Sequence, residues 1–345
     1  MLLLVTLFGH RVPLTWRITG SLAFMTALMV ALPLVAPLGE RWTLGIMFLI
    51  GVTSAVLQPS MVGFTSMLPP MFNQGNMLGQ GLSGVASCVA NIIVLVALPD
   101  AGRTAATVYF AVSAVSLVAC LVSYLYILRL PFTRYYMERA GVISGGKPQA
   151  TPESEEAALM DGGSLPAGKA PVSRMRVLYD VRLMAFTVWL VFTVTFVIFP
   201  GVAPFSIAFK NGLGSLHIAN SWWSIVLLTT FNTFDTVGRF LPSVVQLLRG
   251  PSLTYATILR ALTVPAFIGA ALSWAPWMGD VYAFLVMCIF SVTNGYFASL
   301  AMMHGPGSVP PEQREMAGFV LSLFLQFGIF SGSQLALGVK KLLPG

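Results

Sequence analysis

The chain has 345 residues, of which 19 are Lys or Arg and 12 Asp or Glu, a charged share of 9% where soluble domains carry about 25%. With 56% of side chains apolar, a soluble globular protein is excluded and lipid is the solvent the composition fits. Fourteen of the 31 charges fall between Arg129 and Arg182; that clumping fits an all-α polytopic membrane protein with one charged loop, while an outer-membrane barrel would show short alternating segments.

In chain order, Met1–Gly9 is apolar but too short to cross a bilayer. It reads as the end of a helix whose beginning is absent; it lacks the positive start and small-residue cleavage site of a signal peptide. Spans of about 20 apolar residues are expected at Ile18–Val35, Trp42–Leu68, Met77–Leu98, Thr107–Leu128, Leu183–Val202, Trp222–Leu248, Leu253–Trp274, Val281–Met303 and Ala317–Val339. The resulting organisation is an N-terminal bundle over residues 1–130, a loop over 131–181 and a C-terminal bundle over 182–345.

The loop's middle, Gly141–Ala170, is rich in Gly, Pro, Ser and Glu and cannot bury enough apolar surface to order itself. Within it Thr151-Pro-Glu-Ser-Glu-Glu156 reads as an inert solvated linker or a phosphorylation patch. Alternating the loops places 12 Lys/Arg on one side and five on the other. The richer side, which holds the central loop, is then cytoplasmic, and the C-terminus is extracellular.

Several motifs fail on context. Gly141-Val-Ile-Ser-Gly-Gly-Lys147 has P-loop spacing, but Pro148 stands where the Mg-binding hydroxyl belongs and no strand precedes it. Gly79-Gln-Gly-Leu-Ser-Gly84 matches the dinucleotide pattern yet opens an apolar stretch after a proline-rich turn. Gly79, Ser83, Ser87 and Asn91 instead recur every four residues, a small face suited to helix packing. Cys88, Cys120 and Cys288 lie in apolar runs and read as small core hydrophobes; the three histidines show no metal spacing. No cofactor, metal, catalytic group or nucleic-acid partner is implied, and the basic balance reads as topology.

One constellation survives. In Trp222–Leu248, helical spacing puts Asn232, Asp235, Arg239 and Ser243 on one stripe, with the two opposite charges four residues apart. Inserting Asp and Arg costs about 6 kcal/mol, roughly what the span's 13 Leu, Ile, Phe and Val residues return. Since the pair weakens insertion, it is read as a functional site, with an ion pair that sets helix register as the alternative. Gln58, near the middle of its span beside Ser54, offers both donor and acceptor to a heterocyclic base, or a helix–helix hydrogen bond. Ser291 and Asn294 form a third polar stripe, better suited to packing than to ligand. Pro200-Gly201 and Pro204 are expected to break the end of their helix.

These residues resemble the equilibrative nucleoside transporter family. The resemblance rests on Leu57-Gln58 through Leu68-Pro69, Gly79 to Gly84, Phe231-Asn232 with Asp235-x-x-Gly238-Arg239, Ser291-x-x-Asn294-Gly295-Tyr296, and His304-Gly-Pro306 followed by Glu315-x-Ala317-Gly318. It implies two helical bundles of major-facilitator-like architecture that rock to alternate access, nine full spans being present plus the end of another. The family has eleven spans; the chain looks like the end of the second through the eleventh. Gln58, Asp235 and Arg239 would contact a nucleoside or nucleobase and Asn232 would shape the cavity. Transport would be facilitative or proton-coupled with Asp235 the titratable candidate, in a multi-pass protein of the plasma membrane. The alternative is a truncated, non-transporting member or a membrane-embedded partner of a full-length transporter.

Overall fold

The computed structural model describes residues 12–97, 102–141, 174–201, 203–209 and 220–341. Met1–Gly9 and the 151–156 patch lie outside these residues, as does nearly all of the loop from Gly141 to Ala170. All regular structure among the described residues is helical: α1 Leu14–Val35, α2 Glu40–Met67, α3 Pro70–Ala97, α4 Gly102–Arg129, α5 Pro131–Arg139, α6 Arg174–Ile198, α7 Ala203–Ser206, α8 Asn220–Phe240, α9 Pro251–Arg260, α10 Thr263–Leu272, α11 Asp280–Gly307 and α12 Arg314–Lys340.

Seven segments in this set are long and apolar enough to cross a bilayer, namely α1, α2, most of α4, most of α6, α9 with α10, α11 and α12 with the turn before it. Large apolar side chains such as Trp16, Phe48, Val115 and Leu285 stand on the outside, an arrangement that would aggregate in water and is ordinary against hydrocarbon. The protein is an all-α polytopic membrane protein. α3 and α8, with 28 and 21 residues, are long enough to span but fall outside those seven. They are the helices whose polar faces build the site described below.

Prolines account for three departures from the expected spans. α3 begins at Pro70, not near Met77, because proline at a helix's first position gives up an N–H that has no partner there. The stretch Trp222–Leu248 is helical only to Phe240; Pro242 has no N–H to continue the ladder, and the chain passes into a 3-10 turn over Leu241–Ser243. Ser243 is therefore off the α8 stripe, its hydroxyl donating to Phe240 O at 2.6 Å. The stretch Leu253–Trp274 is two helices, since Pro265 in the first turn of α10 cannot donate back to α9. As expected, α6 stops short of Pro200, at Ile198.

α1 packs on α2 and α4, α6 lies along α12, and α8 crosses α11. α2 reaches across to α12, and α3 packs more extensively on α8 and α11 than on α2. Three apolar clusters follow these contacts: one around Val188, Leu300 and Leu321, one around Trp223, Phe267 and Phe290, and one around Ile18, Phe64 and Tyr124 that takes in Phe319 of α12. Between lipid-embedded helices the driving force is close packing and interhelical hydrogen bonding, not escape from water. Where helices approach most closely therefore decides where polar side chains can meet.

Candidate substrate site

The closest approach is α8 on α11. A Cβ on Gly238 would lie 2.2 Å from Val292 O, and one on Gly295 would lie 2.0 Å from Asp235 O. Both obstacles are backbone, so only glycine lets the helices meet there. α3 closes the other side: a Cβ on Gly81 would meet the Thr236 hydroxyl at 2.8 Å and one on Gly84 the Asn232 amide oxygen at 2.3 Å. The face of α3 that receives α8 is thus Gly81 and Gly84, not the Gly79–Ser83–Ser87 row. Gly79 has open space beside it, while Ser83 lines an apolar chamber of about 570 Å³ between α1, α2, α3 and α4.

Held between these neighbours, Asp235 and Arg239 are 4% and 7% exposed. Arg239 Nε donates to Asp235 Oδ2 at 2.7 Å, and Asn294 Nδ2 of α11 donates to Asp235 Oδ1 at 2.7 Å. Asn294 Oδ1 accepts from Thr195 of α6 at 2.6 Å. Arg239 Nη1 donates to Met77 O of α3 at 3.1 Å. The side-chain amide of Gln74 donates to Arg239 O at 3.3 Å and Phe240 O at 3.2 Å, filling carbonyls that the end of α8 leaves without helix partners. A cation in the last turn of a helix also sits favourably in the helix dipole.

Burying two charges is costly, and such a pair is weak evidence for stability by itself. Here each charge also has a neutral partner from another helix, so removing either residue takes a partner from groups on two helices. A carboxylate has about four acceptor positions and a guanidinium five donors. Two bonds at Asp235 and two at Arg239 leave capacity for a ligand rich in hydroxyl, amine and carbonyl groups.

The other candidates are placed as follows. Asn232 lies one turn before Asp235 on α8, its amide donating to Leu228 O at 2.9 Å and reaching Cys88 Sγ at 3.4 Å. Gln58 is half-buried on α2 and accepts from the Gln326 amide of α12, so it pairs helix to helix and does not join the Asp235 cluster. Ser54 is exposed. Ser291 is buried and turned onto its own helix, donating to Met287 O at 2.6 Å. The cysteines correct the expectation of core positions: Cys120 is exposed and Cys88 and Cys288 are half-buried, all three as free thiols.

Four contributors were not anticipated. Thr195 looks like an ordinary β-branched residue in an apolar span. Asn73 donates to Met302 O and accepts from Thr65 at 3.0 Å, and Gln74 lies beside it; both fall in what reads as a turn until Pro70 is recognised as a helix start. Arg260, at the end of α9, donates to Thr293 Oγ1 at 3.1 Å, Val191 O at 3.2 Å and Phe290 O at 3.1 Å, with its guanidinium 4.3 Å from the Phe290 ring centroid. Its position inside a span was the available signal.

Apolar helices around a buried polar junction are the organisation of a polytopic membrane transporter, and the family match below shows that class. The chain belongs to the nucleoside transporter family, whose model, described as "Nucleoside transporter", matches residues 44–340. It is 28% identical to equilibrative nucleotide transporter 1 of Arabidopsis thaliana, an alignment covering 97% of this chain and 74% of that protein. It is 29% identical to equilibrative nucleoside transporter 1 of Homo sapiens over 94% of this chain and 75% of that protein. Equilibrative nucleoside transporter 2 of Rattus norvegicus is also 29% identical, with 96% and 80% covered.

Proposed function

We propose that this protein carries nucleosides across a membrane by alternating access, with Asp235 and Arg239 as the substrate-binding pair. The observation that carries the reading is the buried pair itself, placed where α3, α8 and α11 converge in a chain of the nucleoside transporter family. A guanidinium donates to ribose hydroxyls or base carbonyls, and a carboxylate accepts from hydroxyls or an exocyclic amine. Asn232 borders the pair, and Gln58 supplies an amide from the facing half once its bond to Gln326 opens.

Rocking between two bundles, residues 1–130 and 182–345, would break and remake the polar bonds that join them. Those bonds include Arg17 to Glu315 at 2.8 Å, Gln58 to Gln326, Asn73 to Met302 O and Arg239 to Met77 O. Each joins side chains or backbone of rigid helices, so together they can be exchanged as a set. Nucleobases fit the same donor and acceptor set, and Asp235 is the carboxylate through which a proton would be coupled. The distribution of Lys and Arg supports a cytoplasmic central loop and an extracellular C-terminus, and the proposed site of action is the plasma membrane, where the protein would take up extracellular nucleosides.

The test is uptake of labelled adenosine in cells without endogenous carriers. Wild-type uptake that Asp235→Asn abolishes, at equal surface expression, is the expected result. Unchanged uptake in that variant would remove Asp235 from the mechanism.

A further inference from the structure

One oxygen of Asp235 pairs with Arg239, and the other is held by a chain of groups on two other helices. Asn294 Nδ2 donates to Asp235 Oδ1 at 2.7 Å, and Thr195 Oγ1 lies 2.6 Å from Asn294 Oδ1. The direction of this chain follows from chemistry. The amide oxygen cannot face a carboxylate, because two acceptors repel, so the NH2 faces Asp235 and the oxygen faces Thr195. A hydroxyl there must then donate.

Thr195 has one hydrogen and a second acceptor in reach, Val191 O at 2.7 Å, the usual target of a helical threonine. That carbonyl also receives Arg260 Nη1 at 3.2 Å. Arg260 thereby covers Val191 O and leaves the Thr195 hydrogen for Asn294. All three side chains are buried, with Thr195 and Asn294 each 2% exposed and Arg260 4%, so water does not compete. The cations that face the carboxylate's surroundings are Arg239 on α8 and Arg260 on α9.

We propose that Thr195 is a positioning residue for substrate recognition, acting through Asn294 to fix which face of the Asp235 carboxylate is open to a nucleoside hydroxyl or amine. The proposal rests on the transport reading above. Without the Thr195 hydroxyl, Asn294 Oδ1 has no donor, its amide is free to turn, and the carboxylate loses its hold on one side.

The experiment is competition with labelled adenosine uptake by unlabelled adenosine, its 2′-, 3′- and 5′-deoxy analogues, and purine riboside, which lacks the 6-amino group. These analogues remove each hydrogen-bond donor of adenosine in turn. Thr195→Val is expected to weaken adenosine about ten-fold while leaving unchanged the analogue that lacks the donor Asp235 accepts; Thr195→Ser is expected to keep the wild-type pattern. A uniform weakening across the panel, as loss of packing alone would give, or no weakening at all, overturns the proposal. If the wild-type chain takes up no adenosine, the transport reading falls separately. The relay is then decided by melting temperatures of purified full-chain Thr195→Val, Asp235→Asn and the double variant. Losses smaller than additive support it, and additive losses overturn it.

Discussion

Removing the charge of Asp235 leaves the Arg239 guanidinium buried with, among the described residues, a single neutral oxygen partner outside its own helix, Met77 O at 3.1 Å. Stranding one member of a buried pair costs about 3–5 kcal/mol. Loss of the bond from Asn294 is part of that penalty, since hydrogen bonds to charged groups contribute about 1.5–3 kcal/mol each. Asp235→Ala is therefore expected to lower the melting temperature of the solubilised protein by on the order of 5 °C or more. Removing both charges, as Asp235→Asn with Arg239→Gln, should restore most of that loss, because nothing ionised then remains buried. Uptake should not return, because neither amide supplies the charge that orients a polar substrate in a dry site. Melting followed by size-exclusion fluorescence, paired with labelled adenosine uptake, reads the two quantities separately. A doubly neutral variant that transports like wild type would refute the reasoning and leave the pair a device for helix register.

Four further outcomes follow from particular contacts. Gly238→Ala should destabilise by about 1–3 kcal/mol or more, since the new methyl meets the Val292 carbonyl. Gly79→Ala, with open space beside it, should leave the stability unchanged or raise it by up to about 1 kcal/mol; equal losses in the two variants would contradict the packing described. Glu315→Gln removes the charge opposite Arg17, which is 8% exposed and whose Nε and Nη1 have no hydrogen-bond partner among the described residues; thermal stability should fall by more in Glu315→Gln than in the Arg17→Leu, Glu315→Gln double variant. Arg260→Lys replaces a planar fork with a point charge and cannot keep the bonds to Thr293, Val191 and Phe290 together. A melting temperature lowered by the equivalent of about 2–3 kcal/mol is expected, and no change would show that the fork carries no load.

The membrane class and most helices could be read directly from the chain, because they depend on local quantities: runs of apolar residues, the scarcity of charge and the placement of proline. α1, α2, α11 and α12 lie close to the expected spans for that reason. The boundaries misplaced at Pro242 and Pro265 are positions where hydropathy continues but the backbone donor does not, whereas at Pro70 the helix begins in polar sequence ahead of the apolar run. Asp235 and Arg239 were also legible, since two opposite charges one turn apart in an apolar stretch carry their own signal.

What encloses that pair was not legible, because it is assembled from helices far apart in sequence. Thr195 lies 99 residues from Asn294, and Met77 lies 162 from Arg239. No periodicity links them. Gly81 and Gly84 received α8 while Gly79, on the face suggested by the four-residue repeat, received nothing. The reason is geometric: a small face permits close approach, but which small face is used depends on where the partner helix lies. Gln58 shows the same division, since its amide announced a polar contact and the tertiary structure alone assigned that contact to Gln326. By itself the sequence determined that charge is kept inside lipid-embedded helices; only the packing of α6, α8, α11 and α3 decided which neutral groups hold it there, because hydrogen bonds between helices require distances that spacing along one helix does not encode.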